Sequence, residues 1–79
     1  MQTIFVMLKC LPGQAYQVAD HAVEIEAVSE VHSISGQYDL MMKCYLDDGI
    51  DLGQFVVDNV QTLPGVTDTF TLIAFKAFT

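Results

Sequence analysis

Seventy-nine residues make one domain, near the lower limit of independent stability. Three lysines stand against ten acidic residues, a formal net charge of −7. Nucleic acid and anionic membranes both need clustered cations, and Lys9, Lys43 and Lys76 are scattered, which excludes direct binding to either.

Thr3 to Cys10 is β-branched and aromatic, apolar at both alternating positions, and reads as a first strand. Pro12-Gly13 stops it. From Gln14 to Val28 the period changes: Ala15, Val18, Ala19, Ala22, Val23 and Ile25 recur at spacings of three and four, which predicts an amphipathic helix. Val31 to Ser35 is a second strand, Gly36-Gln37-Tyr38 a turn, and Asp39 to Leu46 a third strand. So short a connection makes these two strands an antiparallel hairpin. Asp47-Asp48-Gly49 offers a carboxylate as the cap of a second helix. Leu52, Phe55, Val56, Val60 and Leu63 line one face of that helix, and Pro64-Gly65 ends it in a tight turn. Thr67 to Phe78 is the last strand, with Phe70, Leu72 and Ala74 on one face and Thr69, Thr71, Ile73 and Phe75 on the other.

The order β-α-β-β-α-β predicts a four-stranded antiparallel sheet with both helices on one face. The other face has no cover within one chain, yet the strands are apolar on both sides. With 52% hydrophobic residues and a mean hydropathy of +0.39, the chain has more apolar surface than one small core can hide. Dimerisation through the sheets is the simple remedy, and a homo-oligomer is expected. RNA-binding modules of this topology flank their exposed aromatics with basic residues, which are sparse here.

Cys10 and Cys44 lie in strands without metal-ligand spacing or a CxxC pair. They read as buried thiols in a reducing compartment, with a disulfide between neighbouring strands as the alternative. Met1-Gln2-Thr3 has no basic signal-peptide region and no apolar run is long enough to span a bilayer, so the cytoplasm is the expected location. His21 and His32 have no partner at metal-ligand spacing, and neither a nucleophile–base pair nor a phosphate loop is evident; no catalytic residue, cofactor or metal is expected.

Four segments carry a family resemblance: Phe5 to Gly13, Ser35-Gly36-Gln37-Tyr38-Asp39-Leu40, Leu63-Pro64-Gly65-Val66 and Thr69-Phe70-Thr71-Leu72. In this order and spacing the chain resembles the effector-binding (RAM) domain of the Lrp/AsnC, or feast/famine, transcriptional regulators over roughly residues 3–78. The resemblance implies a ferredoxin-like α+β fold, dimers formed through the sheets, and dimers assembled into octameric or decameric rings that bind amino acids between dimers. It implies a non-catalytic sensor of a small amino acid that modulates full-length regulators of the family. Those regulators carry a helix-turn-helix ahead of this domain. Met1 stands one or two residues before the first strand, so a stand-alone form without a DNA-binding domain is expected.

Within that resemblance, Asp39 is the candidate partner of an effector ammonium, through a charge-assisted hydrogen bond. Gly36 and Gln37 can offer backbone N–H groups to a carboxylate, and Gly allows close approach. Tyr38 walls the pocket or packs at a ring interface. Thr69 and Thr71 would reach the ligand from an adjoining subunit, and Ser35, with Ser33, alternates toward the same place. His32 stands close enough to lend pH sensitivity. Against each stands a plainer role: turn geometry for Ser35 to Asp39, β-propensity for the threonines. Two rival functions share the topology: a dimeric α+β barrel enzyme of the small monooxygenase kind, and a purely structural oligomerisation module. The barrel needs a polar cavity between sheet and helices, whereas both helix stripes here are Ala, Val, Leu and Phe.

Overall fold

In the computed structural model, which describes residues Met1–Thr79, the strands sort their residues as a period of two requires. The elements are β1 (Gln2–Cys10), α1 (Ala15–Ala22), β2 (Val28–Ser33), β3 (Leu40–Leu46), α2 (Leu52–Phe55) and β4 (Val66–Ala74). α2 continues directly into a π-helical turn, Val56–Val60. The strands form one antiparallel sheet in the order β2-β3-β1-β4. Ile4, Val6, Leu8 and Cys10 of β1 and Leu40, Met42, Cys44 and Leu46 of β3 are buried in one cluster with Val18, Ala22, Val56 and Val60 from the helices. Both helices therefore cover the same face. No polar side chain is buried among them.

The cross-strand register puts Thr3, Phe5, Met7 and Lys9 on the opposite face, beside Met41, Lys43 and Tyr45 of β3 and Asp68, Phe70, Leu72 and Ala74 of β4. This face is uncovered and apolar as expected: Tyr45, Phe70 and Leu72 remain 40%, 46% and 47% exposed. The Lys43 ammonium lies over it, 5.9 Å from the Phe5 ring and 5.1 Å from that of Tyr45.

Four boundaries differ from expectation. The first helix stops at Ala22 and not near Val28. The chain then tightens through Glu24 N–H to His21 O, Ile25 N–H to Ala22 O and Val28 N–H to Ile25 O, at 3.0–3.2 Å. Such three-residue turns keep a stripe of three-and-four spacing on one side, so periodicity does not mark the helix end. β2 begins at Val28 and ends at Ser33, because Val28 and Val31 pair with Cys44 and Met42 on the helix side. The cap of α2 is Asp51, whose Oδ1 accepts the Gln54 N–H at 3.0 Å, and not the earlier Asp47 or Asp48. β4 ends at Ala74, which pairs with Thr3 near the start of β1; beyond it no strand is left to pair, and Phe75 and Phe78 project 97% and 86% exposed.

Cys10 and Cys44 are both buried free thiols. Cys44 pairs with Ile4, six positions along β1 from Cys10, about 20 Å at strand rise. A disulfide between them is therefore out of reach. Burial pushes the Cys44 thiol up to about 11.

The Leu63-Pro64-Gly65-Val66 turn closes with Val66 N–H on Leu63 O at 3.2 Å and receives Leu11 N–H on Gly65 O at 2.9 Å. Gly65 has φ +92°, and a Cβ there would stand 2.8 Å from Gln14 Oε1 and 3.0 Å from Val18 Cγ2. Gly36 has φ +105° with nothing within 4 Å of the equivalent position. Gly36→Ala should cost only the left-handed backbone penalty, about 1–2 kcal/mol. Gly65→Ala should add a clash of about 1–3 kcal/mol. Urea unfolding midpoints check this; equal losses for the two variants would contradict it.

Candidate functional site

The β1–β3 ladder ends at the pair Leu8 and Leu40. Past it the hairpin connection, residues 34–39, peels away from the sheet, held by Ile34 N–H to Asp39 O at 3.0 Å and Asp39 N–H to Leu8 O at 2.8 Å. Cys10 thus lies beyond the last β3 partner. Its N–H is satisfied by the Asp39 side chain, whose Oδ2 accepts at 2.8 Å. A carboxylate therefore extends the ladder where the backbone has left it. On the other side, β1 and β4 shift register between Lys9 and Cys10, and there Thr67 Oγ1 donates to Lys9 O at 3.1 Å. Asp39 Oδ2 is committed to the fold; Oδ1 takes none of the chain's hydrogen bonds. The Cys10 thiol pKa is raised by burial first and then by the negative charge of Asp39.

The turn is further pinned by Lys9, whose Nζ donates to Gln37 O at 3.1 Å. Tyr38 packs on Phe70 with ring centroids 6.0 Å apart, so its aromatic body belongs to the uncovered sheet face. Lys9, Gln37, Tyr38 and Asp68 line a shallow depression of about 290 Å³ there. Asp68 pairs with Lys9 across the sheet, and its Oδ1 accepts the Thr69 N–H at 2.9 Å.

The expected residues are thus only partly gathered within one chain. Gly36, Gln37, Tyr38 and Asp39 stand together at the turn end of the sheet, with Ser35 exposed beside them. Thr69 and Thr71 pair with Leu8 and Val6 and so belong to the helix side. Thr69 Oγ1 accepts from Gln61 Nε2 at 3.1 Å, at a second depression of about 260 Å³. Lys9 and Asp68 were not singled out from sequence. The signal was available: each is a lone charge on a strand otherwise free of it at that end. Only the β1–β4 register shows that they meet the turn.

The largest depression, about 530 Å³, lies at the other end of β3, between Tyr45, Leu46 and Phe55, Asn59. It holds neither histidine nor cysteine. His32 is on the open face, its Nε2 3.0 Å from Glu30 Oε1, and this hydrogen bond is the main reason the Glu30 carboxyl sits below its usual value. No helix is long and apolar enough to cross a membrane.

Comparison with known proteins agrees with this fold. Residues 3–79 match the Lrp/AsnC ligand-binding domain. An uncharacterised HTH-type transcriptional regulator of Pyrococcus abyssi is 32% identical over 76 residues, covering 92% of this chain and 51% of that protein. A crystal structure from Thermus thermophilus superposes with a TM-score of 0.90 at 33% identity, over 100% of this chain and 99% of that one. A transcriptional regulator of Neisseria meningitidis, solved as its L-Met complex, shares the fold at TM-score 0.86 and 18% identity, over 99% of this chain and 52% of that one. The chain belongs to the Lrp/AsnC ligand-binding domain family. It spans about half the length of the curated relatives it matches.

Removing the Asp39 carboxylate leaves the part-buried Cys10 N–H without its acceptor, a loss of about 1–3 kcal/mol. Asp39→Ala should therefore lower the thermal midpoint clearly, while Asp39→Asn, which keeps an acceptor oxygen, should stay close to wild type. Equal stability of both variants and wild type in calorimetric scans would contradict the role.

Proposed function

We propose that this domain is a non-catalytic sensor of a small amino acid, assembled from dimers into a ring, working in the cytoplasm and modulating full-length Lrp/AsnC-type regulators by co-assembly and without contacting nucleic acid itself. The observation that carries the reading is Asp39: its Oδ2 is held by the Cys10 amide, which fixes the carboxylate, and Oδ1 is left for an ammonium. The backbone of Gly36 to Tyr38 would take the carboxylate. Ser35 borders the ligand, and Thr69 and Thr71 of an adjoining copy complete the site from their own helix side. The Neisseria relative, described as an L-Met complex, supports an amino acid as the ligand class. The wholly apolar core between helices and sheet supports a binding role over barrel-type catalysis, since no polar side chain is buried there.

Titration calorimetry with the twenty common amino acids tests the sensor. At least one should bind wild type, and Asp39→Asn should weaken it by about 1.5–3 kcal/mol, the range for a hydrogen bond to a charged group. No binding by wild type, or an unchanged affinity in the variant, would contradict the assignment.

Assembly rests on the open sheet face. Each of Phe70, Leu72 and their neighbours gains roughly 1.5–3 kcal/mol when fully covered. Light scattering should find an octamer or decamer, and Leu72→Asp should collapse it to smaller species. A wild-type monomer, or a variant of unchanged mass, would count against the sheet as the interface.

A further inference from the structure

A zwitterion asks for two charges of opposite sign, and the reading above supplies only one, the Asp39 carboxylate. On a chain of net charge −7, a ligand carboxylate meets a repulsive field unless a cation stands beside it. Three lysines are available, the N-terminal ammonium being paired with Asp48 at 3.2 Å. Lys43 is 3.9 Å from Glu30 Oε2 and spread over the rings of Phe5 and Tyr45. Lys76 lies past the end of β4, its ammonium 5.2 Å from the Phe78 ring centroid. Lys9 alone is at the turn. It is exposed, its ammonium's only hydrogen bond is to a main-chain carbonyl, Gln37 O at 3.1 Å, and it lines the same depression as Tyr38 and Asp68. An ammonium has three donors, so that bond leaves two free.

We propose that Lys9 binds the carboxylate of the amino-acid effector, as the cationic half of the site whose anionic half is Asp39. This rests on the sensor reading and deepens it. The ammonium on Gln37 O is already beside the backbone expected to cradle the carboxylate, so no rearrangement of the turn is required. Asp68, directly across the β1–β4 pair from Lys9, is the one negative group lining the depression, next to the turn that carries Asp39. Lys9 and Asp39 then pair the two charges of a zwitterion, and Asp68 beside them disfavours a second carboxylate on the ligand, as in aspartate and glutamate. Tyr38, which lines the same depression, offers an apolar wall for the ligand side chain.

The plainer role for Lys9 is to pin the turn through Gln37. Calorimetry of wild type, Lys9→Met and Lys9→Arg against the twenty amino acids and their α-carboxamides separates the two. Wild type should prefer the acid over its carboxamide by about tenfold or more, the equivalent of one hydrogen bond to a charged group. Lys9→Met should lose that preference and bind both forms alike, and Lys9→Arg should keep it. If Lys9→Met weakens acid and carboxamide in equal proportion, Lys9 only holds the turn and the proposal fails while the sensor reading stands. If wild type binds none of the amino acids, both fail together.

Discussion

The sheet is apolar on both faces, and the chain owns helices for only one. Everything else follows from that imbalance. Ile4, Val6 and Leu8 face the helices and are sealed, while Phe5 and Met7 between them lie on the open face with Phe70 and Leu72. No rearrangement within one chain cures this, because a one-residue slip of β1 would exchange the two sets and leave an equally apolar face exposed. The charge distribution fits the same demand. Lys9 and Lys43 rise from the open face, where Glu30 and Asp68 partly balance them, whereas Asp20, Glu24, Glu26 and Asp58 lie in the helical connections. A chain of −7 thus has its near-neutral side on the open face, where the proposed second copy would sit, and its acidic side elsewhere.

Asp39 joins architecture to chemistry. Its Oδ2 finishes the β1 ladder at Cys10, and that bond fixes the carboxylate against the sheet. A side chain already held by the fold loses little freedom when it takes up a ligand, so recognition begins from a preorganised group. The structural role and the proposed binding role therefore reinforce one another, and a charge-neutral substitution separates them more cleanly than truncation to alanine. In the proposed site the turn is one half. Thr69 and Thr71 lie at helix-side positions of β4 and cannot join Tyr38 within the same chain, so the proposed pocket draws them from another copy.

Element order, hairpin and two-faced strands were legible in the sequence because each rests on local signals: a period of two, a period near 3.6, and Pro-Gly punctuation. The helix stripe of Leu52, Phe55, Val56, Val60 and Leu63 was legible too, although part of it is a π-turn, since the buried side does not depend on which of the two windings carries it. Ends were less legible. Val23 to Ala27 has the composition of a helix and folds as tight turns because β2 must start at Val28 to bring Val31 opposite Met42. That demand is tertiary. In the site, Asp39 was readable from Gly36-Gln37-Tyr38-Asp39, but its bond to Cys10 was not, being set by where the β1–β3 ladder ends. Lys9 and Asp68 were hidden for the same reason: fifty-nine residues apart in the chain, they meet only through the β1–β4 register.

In the proposed sensor an amino acid is bound by a site that assembly completes. Binding and assembly must then be linked, because a ligand that occupies a composite site stabilises the species that contains it. Sedimentation velocity over a dilution series, with and without the amino acid selected by calorimetry, tests this directly. The amino acid should shift dissociation of the particle to lower protein concentration. An identical dilution curve with and without a saturating amino acid would contradict it.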